Sequence, residues 1–312
     1  GRMTMAAARN VTILGAGLMG HGIALVMARA GNKVTVTDPV NEALNALSGK
    51  VEASLAGLGV EAGETEQTLS RIYVQPDFSA AVSQADFVFE AAPEKLPLKR
   101  ALFEKLEADA PAHAILASNT SVIQISKIVG ERKTANRMLG THWWNPPHMI
   151  PLVEVIKTQW TDPANAQSMF ELLEAAGKTP VMVEKDVPGF IGNRLQHALW
   201  REAVSLVENG ICDAEAVDTV IKSSFGRRLA VLGPLENADL VGTDLTLDIH
   251  ENVLFDLENR AGPSPYLKQM VEDGRLGMKS GEGFQKWTDQ EADAVRNKVT
   301  RHLTQLEKIM ND

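Results

Sequence analysis

The amino-acid sequence predicts a doubly wound, mostly parallel α/β sheet followed by an all-α domain. Three observations carry that prediction. A β-branched run, a glycine turn and an Ala-rich run succeed one another between Val11 and Ala30. Short apolar strand candidates then alternate with helical stretches as far as Glu184, the pattern of a parallel sheet covered on both faces. Beyond Asp186-Val187-Pro188-Gly189 the alternation stops and long helical segments take over.

Each element has its own local signal. Val11-Thr12-Ile13-Leu14 is a short β-branched strand, Gly15 to Gly20 is the turn, and His21 to Ala30 is a helix that Gly31-Asn32 ends. Lys33 to Asp38 reads as a second strand ending on an acid, which completes a β-α-β unit. Further strands are expected at Arg71-Val74, Phe87-Glu90, Ile115-Ser118, Met138-His142, Leu152-Ile156 and Val181-Glu184, with helices such as Leu98-Ala108 and Ala164-Ala176 between them. Ala56-Glu66 is the one low-complexity stretch, and no fixed-period repeat is found. Pro and Gly punctuate the change of pattern near Val187, so the domains are expected at 1–187 and 188–312. The second is expected as a bundle of helices at Ile191-Asn209, Ala214-Lys222, Ala238-Leu257, Pro265-Asp273 and Asp289-Met310.

Composition bounds the function. A chain of 312 residues, 44% hydrophobic and 23% charged, suits two folded domains rather than a disordered chain. Its 31 Lys plus Arg against 40 Asp plus Glu leave a formal charge of −9, and basic runs such as Arg227-Arg228 are only pairs. Nucleic acid is therefore not an expected partner, because phosphate-backbone binding needs a clustered positive surface. Cys212 is the only cysteine, which excludes an intramolecular disulfide and a thiolate metal site and suits a reducing, cytoplasmic setting. No metal is expected. No apolar run reaches the roughly 18 residues a membrane span needs. Gly1-Arg2-Met3-Thr4-Met5 lacks a charged-then-apolar signal and reads as a vector remnant with native initiation at Met3 or Met5.

The glycine turn is the first chemical signal. Gly15, Gly17 and Gly20 sit between a strand and a helix, and Asp38 follows Gly20 by 18 positions at the end of the next strand. This is the Rossmann-type dinucleotide fingerprint: one glycine for the tight turn, one for close approach to the pyrophosphate, one for helix–strand packing. Ala16, Leu18 and Met19 complete the loop, whose helix N-terminus offers N–H groups to phosphate. Asp38 suits a ribose diol and repels a 2′-phosphate, and Pro39-Val40 supplies no cation for one, so the expected cofactor is NAD rather than NADP. FAD shares the fingerprint, but the additional segments flavoproteins commonly need are not found.

A second signal lies at the far end of the sheet. His142 ends a predicted strand, and Glu154 lies 12 residues on, between Val153 and Val155 in another. A strand, a Pro-rich loop and a return strand would bring the carboxylate against the imidazole. Oxidation of a secondary alcohol needs a base for the hydroxyl proton; imidazole has a suitable proton affinity, and a carboxylate on its other nitrogen fixes the tautomer. Ser118-Asn119-Thr120-Ser121 places amide and hydroxyl groups at a strand end, and Asn193 begins the helix after Pro188-Gly189-Phe190. His197 and His250 read as helical packing or surface residues.

Together these residues resemble the 3-hydroxyacyl-CoA dehydrogenase family over nearly the whole chain. The matching stretches include Gly15 to Gly20, Glu90-Ala91-Ala92-Pro93-Glu94, Ser118 to Ser121, His142 with Asn145-Pro146, Leu152 to Ile156, Pro188 to Ile191 with Asn193-Arg194, Gly233 to Glu236, and Leu276-Gly277 through Phe284. The resemblance implies His142 as general base and Glu154 as its orienting partner. It implies Ser121 and Asn193 on the substrate oxygen. Glu94, Lys99, Asn119, Ser121, Asn145 and Lys279 would join the glycine loop and Asp38 around NAD. It also implies a homodimer through the helical domain.

Departures from that family concern the substrate. Trp143-Trp144 stand where the acyl-CoA enzymes usually show two Phe, and Asn145 to Pro151 looks more like the lambda-crystallin branch, whose members oxidise L-gulonate. Between Ser48 and Ser70, Lys50 is outnumbered by Glu52, Glu61, Glu64 and Glu66, a poor clamp for the phosphates of CoA. Arg227 and Arg228 are candidates to grip a small carboxylate instead. The expected activity is NAD-dependent interconversion of an L-3-hydroxyacyl group or 3-hydroxy acid and its 3-keto form. The alternatives are a free-acid enzyme that does not use CoA and a non-catalytic NADH-binding structural protein.

Overall fold

A computed structural model describes residues 7–311. The expectation for Gly1 to Met5 lies outside the described residues. The strands are β1 (Asn10–Leu14), β2 (Lys33–Thr37), β3 (Ile72–Val74), β4 (Phe87–Glu90), β5 (Ile115–Ser118), β6 (Met138–Trp143), β7 (Leu152–Ile156) and β8 (Thr179–Val183). They form one eight-stranded sheet in the order β3-β2-β1-β4-β5-β6-β7-β8. The helices among them are α1 (Leu18–Arg29), α2 (Asn41–Gly57), α3 (Ala62–Ser70), α4 (Phe78–Val82), α5 (Leu96–Asp109), α6 (Ile125–Val129) and α7 (Pro163–Ala175).

Every strand pair is parallel except β6 with β7. The exception follows from loop length. Residues 144–151 separate these two strands, and a parallel crossover needs a dozen or more. The strand order reverses about β1, which pairs with both β2 and β4, so a crevice opens beyond the carboxyl ends of β1 and β4. Leu14 pairs with Glu90 and Glu90 with Ser118, which aligns the carboxyl ends of β1, β4 and β5, while Ser118 pairs with Gly140 and β6 runs on to Trp143.

Apolar side chains fill both faces of the sheet. One cluster joins Ile23 and Met27 of α1, Leu47 and Leu55 of α2 and Met169 and Leu173 of α7 to Ile13, Val36 and Phe89. The other joins Phe103 and Leu106 of α5 and Ile128 of α6 to Leu14, Val88 and Leu116. Fully buried strands with near-continuous apolar runs are what a sheet covered twice requires.

Several boundaries differ from expectation. Strand β8 starts at Thr179, two residues before Val181, because Pro180 is tolerated on an edge strand where its missing N–H leaves no broken bond. Helix α1 starts at Leu18, inside the glycine motif. Ala56-Glu66 is no featureless stretch: it holds the end of α2, a turn with Gly59 at φ 74° and the start of α3.

The chain divides into two compact units, Gly1–Gly192 and Asn193–Asp312. The second begins one residue into α8 (Gly192–Glu208) and carries α9 (Ala214–Lys222), α10 (Pro234–Val241), α11 (Thr243–Val253), α12 (Pro265–Glu272) and α13 (Asp289–Met310). The single helix expected over Ala238-Leu257 is two, because Gly242 at φ 109° breaks the backbone between α10 and α11. Within this unit Arg260 binds Glu208 and Glu258 at 2.6 and 2.9 Å. Large apolar side chains such as Leu235, Leu240 and Phe255 stand exposed at 72–80%.

Candidate active site

The three glycines of the β1–α1 turn do three different things. Gly15 has φ 110°, and a Cβ there would meet the Ala91 carbonyl oxygen at 2.7 Å. A Cβ on Gly20 would meet the Gly15 carbonyl oxygen at 1.9 Å, so only glycine lets α1 pack on its own turn. At Gly17 a Cβ would meet no described atom within 4 Å. Nothing in the protein's own packing demands a glycine there, whereas close approach of a ligand does. Gly17 is also the N-cap of α1; among the described residues no side chain caps the helix, and no acid lies in its first turn. The positive end of the helix is thus left to an anion.

Asp38 is bound into this loop. One carboxylate oxygen accepts from Ala16 N–H at 2.9 Å and the other from Val40 N–H at 2.8 Å. Each retains a lone pair, as recognition of a ribose diol requires. These residues fit an adenine dinucleotide: the open backbone at Gly17, the uncapped helix and a fixed carboxylate one strand away.

Beside the loop, Lys99 and Glu90 form an ion pair with both side chains wholly buried, at 2.6 Å. Lys99 Nζ also donates to the Ala92 carbonyl at 3.1 Å and reaches Glu94 at 3.3 Å. Glu90 accepts in addition from Ser118 Oγ at 2.7 Å and Ala92 N–H at 2.8 Å. Such a pair is tolerable in the interior because every charge is hydrogen-bonded. Glu94 is exposed, and Thr120 Oγ1 donates to it at 2.8 Å. Sequence reasoning gave Glu90 no role of its own, although an acid closing the apolar run Phe87-Val88-Phe89 is a signal that it must be paired.

At the other end of the sheet edge, β6 and β7 set His142 directly opposite Glu154. Nδ1 of His142 lies 2.9 Å from Glu154 Oε1, and both residues are buried. Trp144 Nε1–H donates to the same oxygen at 3.3 Å, while Ile191 and Gly192 N–H donate to Oε2 at 2.8 and 3.1 Å. The turn that aims these amides uses left-handed backbone at Gly189 (φ 78°) and Phe190 (φ 54°). Phe190 is buried, its ring 5.5 Å from the imidazole.

Burial raises the proton affinity of Glu154. Hydrogen bonds from His142, Ile191 and Gly192 outweigh it and hold the carboxyl below the usual range. An ionised carboxylate surrounded by N–H donors fixes the tautomer of His142. Nδ1 carries the proton, and Nε2 presents a lone pair with no hydrogen-bond partner among the described residues.

The remaining expected residues are placed as follows. Asn119 is buried, its Oδ1 accepting from Trp143 N–H at 3.0 Å, and so ties β5 to β6. Ser121 and Asn145 are exposed on the loops that follow β5 and β6. Asn193, half-buried in the first turn of α8, belongs to the second unit, as do exposed Arg227, Arg228 and Lys279. Ile191, Gly192 and the Trp144 indole were not singled out as partners of Glu154. The amides carry no side-chain signal at all.

Known proteins resemble this chain over nearly its whole length. Residues 10–187 match the family described as 3-hydroxyacyl-CoA dehydrogenase, NAD binding domain, and residues 189–287 match its C-terminal domain. The chain is 39% identical over 293 residues to the mitochondrial hydroxyacyl-coenzyme A dehydrogenase of Homo sapiens, covering 89% of this chain and 91% of that one. It is 34% identical over 305 residues to the 5-formyl-3-hydroxy-2-methylpyridine 4-carboxylate 5-dehydrogenase of Mesorhizobium japonicum, covering 97% and 98%. A crystal structure of a dehydrogenase with that substrate, described as an NAD+ dependent dismutase, aligns with a TM-score of 0.88 over 98% of this chain and 99% of its own, at 34% identity. With both halves of its length matched and the histidine–glutamate pair set on adjacent strands, the chain belongs to the 3-hydroxyacyl-CoA dehydrogenase family.

Proposed function

We propose that the protein is an NAD-dependent dehydrogenase that interconverts an L-3-hydroxyacyl group or 3-hydroxy acid and its 3-keto form, with His142 as general base. The single observation that carries this reading is the pairing of His142 Nδ1 with a Glu154 carboxylate that three other N–H groups also bind. NAD, when bound, supplies the hydride acceptor. His142 takes the C3 hydroxyl proton on Nε2, and Glu154 stabilises the imidazolium that results. Ser121 and Asn193 hold the C3 oxygen in this reading. The loop from Gly15 to Gly20, Asp38, Glu94, Asn119, Asn145 and Lys279 surround the cofactor. Lys99, having no exposed surface, acts through Glu94 and the Ala92 carbonyl. A purely structural NADH binder has no use for a buried, four-fold bonded carboxylate beside a histidine.

A second reading, a free hydroxy acid rather than a CoA thioester, is favoured by the surface of α2 and α3. Lys50 there faces an exposed excess of Glu52, Glu61, Glu64 and Glu66, and Arg29 is already bound to Glu64 at 2.7 Å. Arg227 and Arg228 are then the candidates for the substrate carboxylate. Turnover of acetoacetyl-CoA, acetoacetate and L-gulonate under identical NAD(H) conditions separates the two. Activity with the thioester alone sustains the first reading, and activity with the free acids alone sustains the second.

The protein assembles as a homodimer in this account, supported by the uncovered apolar side chains of α10 and α11. A cytoplasmic setting is supported by the unpaired thiol of Cys212. Among the described residues no helix is long and apolar enough to cross a membrane.

A further inference from the structure

Two adjacent tryptophans follow His142, and their indole N–H groups go to different places. Trp143 is buried edge-on against Phe89, and its Nε1 has no hydrogen-bond partner among the described residues. Trp144 turns its Nε1–H onto Glu154 Oε1, the oxygen that also accepts from His142 Nδ1. Its ring is held in that pose from two sides. It lies 5.3 Å from the His142 ring, and its Cζ2 sits so close over Gly192 that a Cβ there would come within 2.3 Å.

We propose that Trp144 is a positioning residue of this site, which shares Glu154 Oε1 with His142 and so limits how strongly the carboxylate holds the protonated imidazole. The proposal rests on the reading of His142 as the base. A carboxylate oxygen with one donor concentrates its charge on that donor, and a second donor disperses it. Oε2 keeps the Ile191 and Gly192 amides whatever side chain occupies position 144, so loss of the indole N–H leaves the carboxylate where it is and alters only what Oε1 offers His142. Within this unit the ionisable groups that face one another here are Glu154 on β7 and His142 on β6. Trp144, Phe190 and the 191–192 backbone complete the surround, and none of them titrates in the working range. A phenylalanine would occupy part of the space and donate nothing.

The test compares the pH dependence of kcat/KM for hydroxy-substrate oxidation in three proteins. They are the wild type, Trp144→Phe, and the protein carrying 3-benzothienylalanine at position 144, an isostere that exchanges the N–H for sulfur. In both variants the acidic limb is expected to move up by about 0.5 to 1 in pH, since the imidazolium is held more tightly. NADH affinity stays close to wild type. A limb that stays in place or moves down overturns the proposal. So does a shift confined to Trp144→Phe, which would assign the effect to packing; the isostere also keeps the test valid if the smaller ring impairs folding. His142→Gln assayed alongside keeps the two readings apart: turnover in that protein would refute the base assignment whatever the Trp144 variants do.

Discussion

His142 Nδ1 lies 2.9 Å from Glu154 Oε1 because the two residues occupy directly opposed positions on antiparallel strands β6 and β7. The carboxylate is anchored at its far oxygen by Ile191 and Gly192 N–H, so it orients the imidazole rather than following it. Glu154→Gln keeps the shape but turns an amide N–H toward groups that are all donors. It is expected to lower kcat by about 10²- to 10⁴-fold with NADH affinity unchanged. Stopped-flow NADH binding beside steady-state turnover checks both halves.

The glycine loop predicts opposite outcomes at two positions. Gly20→Ala forces a methyl into the Gly15 carbonyl and is expected to cost about 1–3 kcal/mol or more, read from urea denaturation. The Cβ of Gly17→Val meets no described atom within 4 Å. This substitution should leave the denaturation midpoint within error while NADH affinity falls about tenfold or more. Equal effects on stability at both sites would contradict the roles assigned to them.

Lys99→Met would leave Glu90 buried and unpaired. The expected loss of stability is about 3–5 kcal/mol, and Glu90→Gln in the same protein should recover part of it. A single-variant melting temperature equal to wild type would mean that the pair is not closed as described.

Acid should destabilise the first unit before its carboxylates protonate. Burial pushes the His148 imidazole down to about 4, with the charges of His21 and Lys178 adding to it, and burial lowers His21 as well. Their rings lie 5.8 Å apart. Between pH 6.5 and about 4 the unfolded chain therefore binds protons that the folded protein does not. The contribution is fully present above 6.5, falls with pH through that window and levels off below about 4. For His148 it is about 3 kcal/mol at most. Urea midpoints measured from neutral pH downward should show this slope, and His148→Asn should flatten it.

If the proposed homodimer forms through the helical unit, where Leu240 and Phe255 both stand more than 70% exposed, the wild type sediments as a dimer and Leu240→Glu with Phe255→Glu as a monomer in analytical ultracentrifugation. An unchanged dimer would move the interface elsewhere.

Much of the sheet and the core of the site were legible because their signals are periodic or local. Apolar runs alternating with helical stretches located the eight strands described, and a 12-residue spacing across a Pro-rich loop suited the return strand that sets Glu154 opposite His142. What escaped was carried by groups without a sequence signature. The amides of Ile191 and Gly192 look like any others, and their aim depends on two left-handed residues, one of them Phe190. The closure of Lys99 on Glu90 joins a strand end to a helix through a turn whose path no periodicity reveals. Gly242 breaks a helix that apolar spacing alone continues, since an isolated glycine inside a helical pattern is often accommodated.

The most direct test of the account is His142→Gln, assayed for NADH binding and for turnover of whichever hydroxy substrate the wild type accepts. NADH affinity is expected to match wild type, because the glycine loop and Asp38 are untouched, and turnover to fall by at least about 10²- to 10⁴-fold at every pH. Turnover within a few-fold of wild type would contradict it.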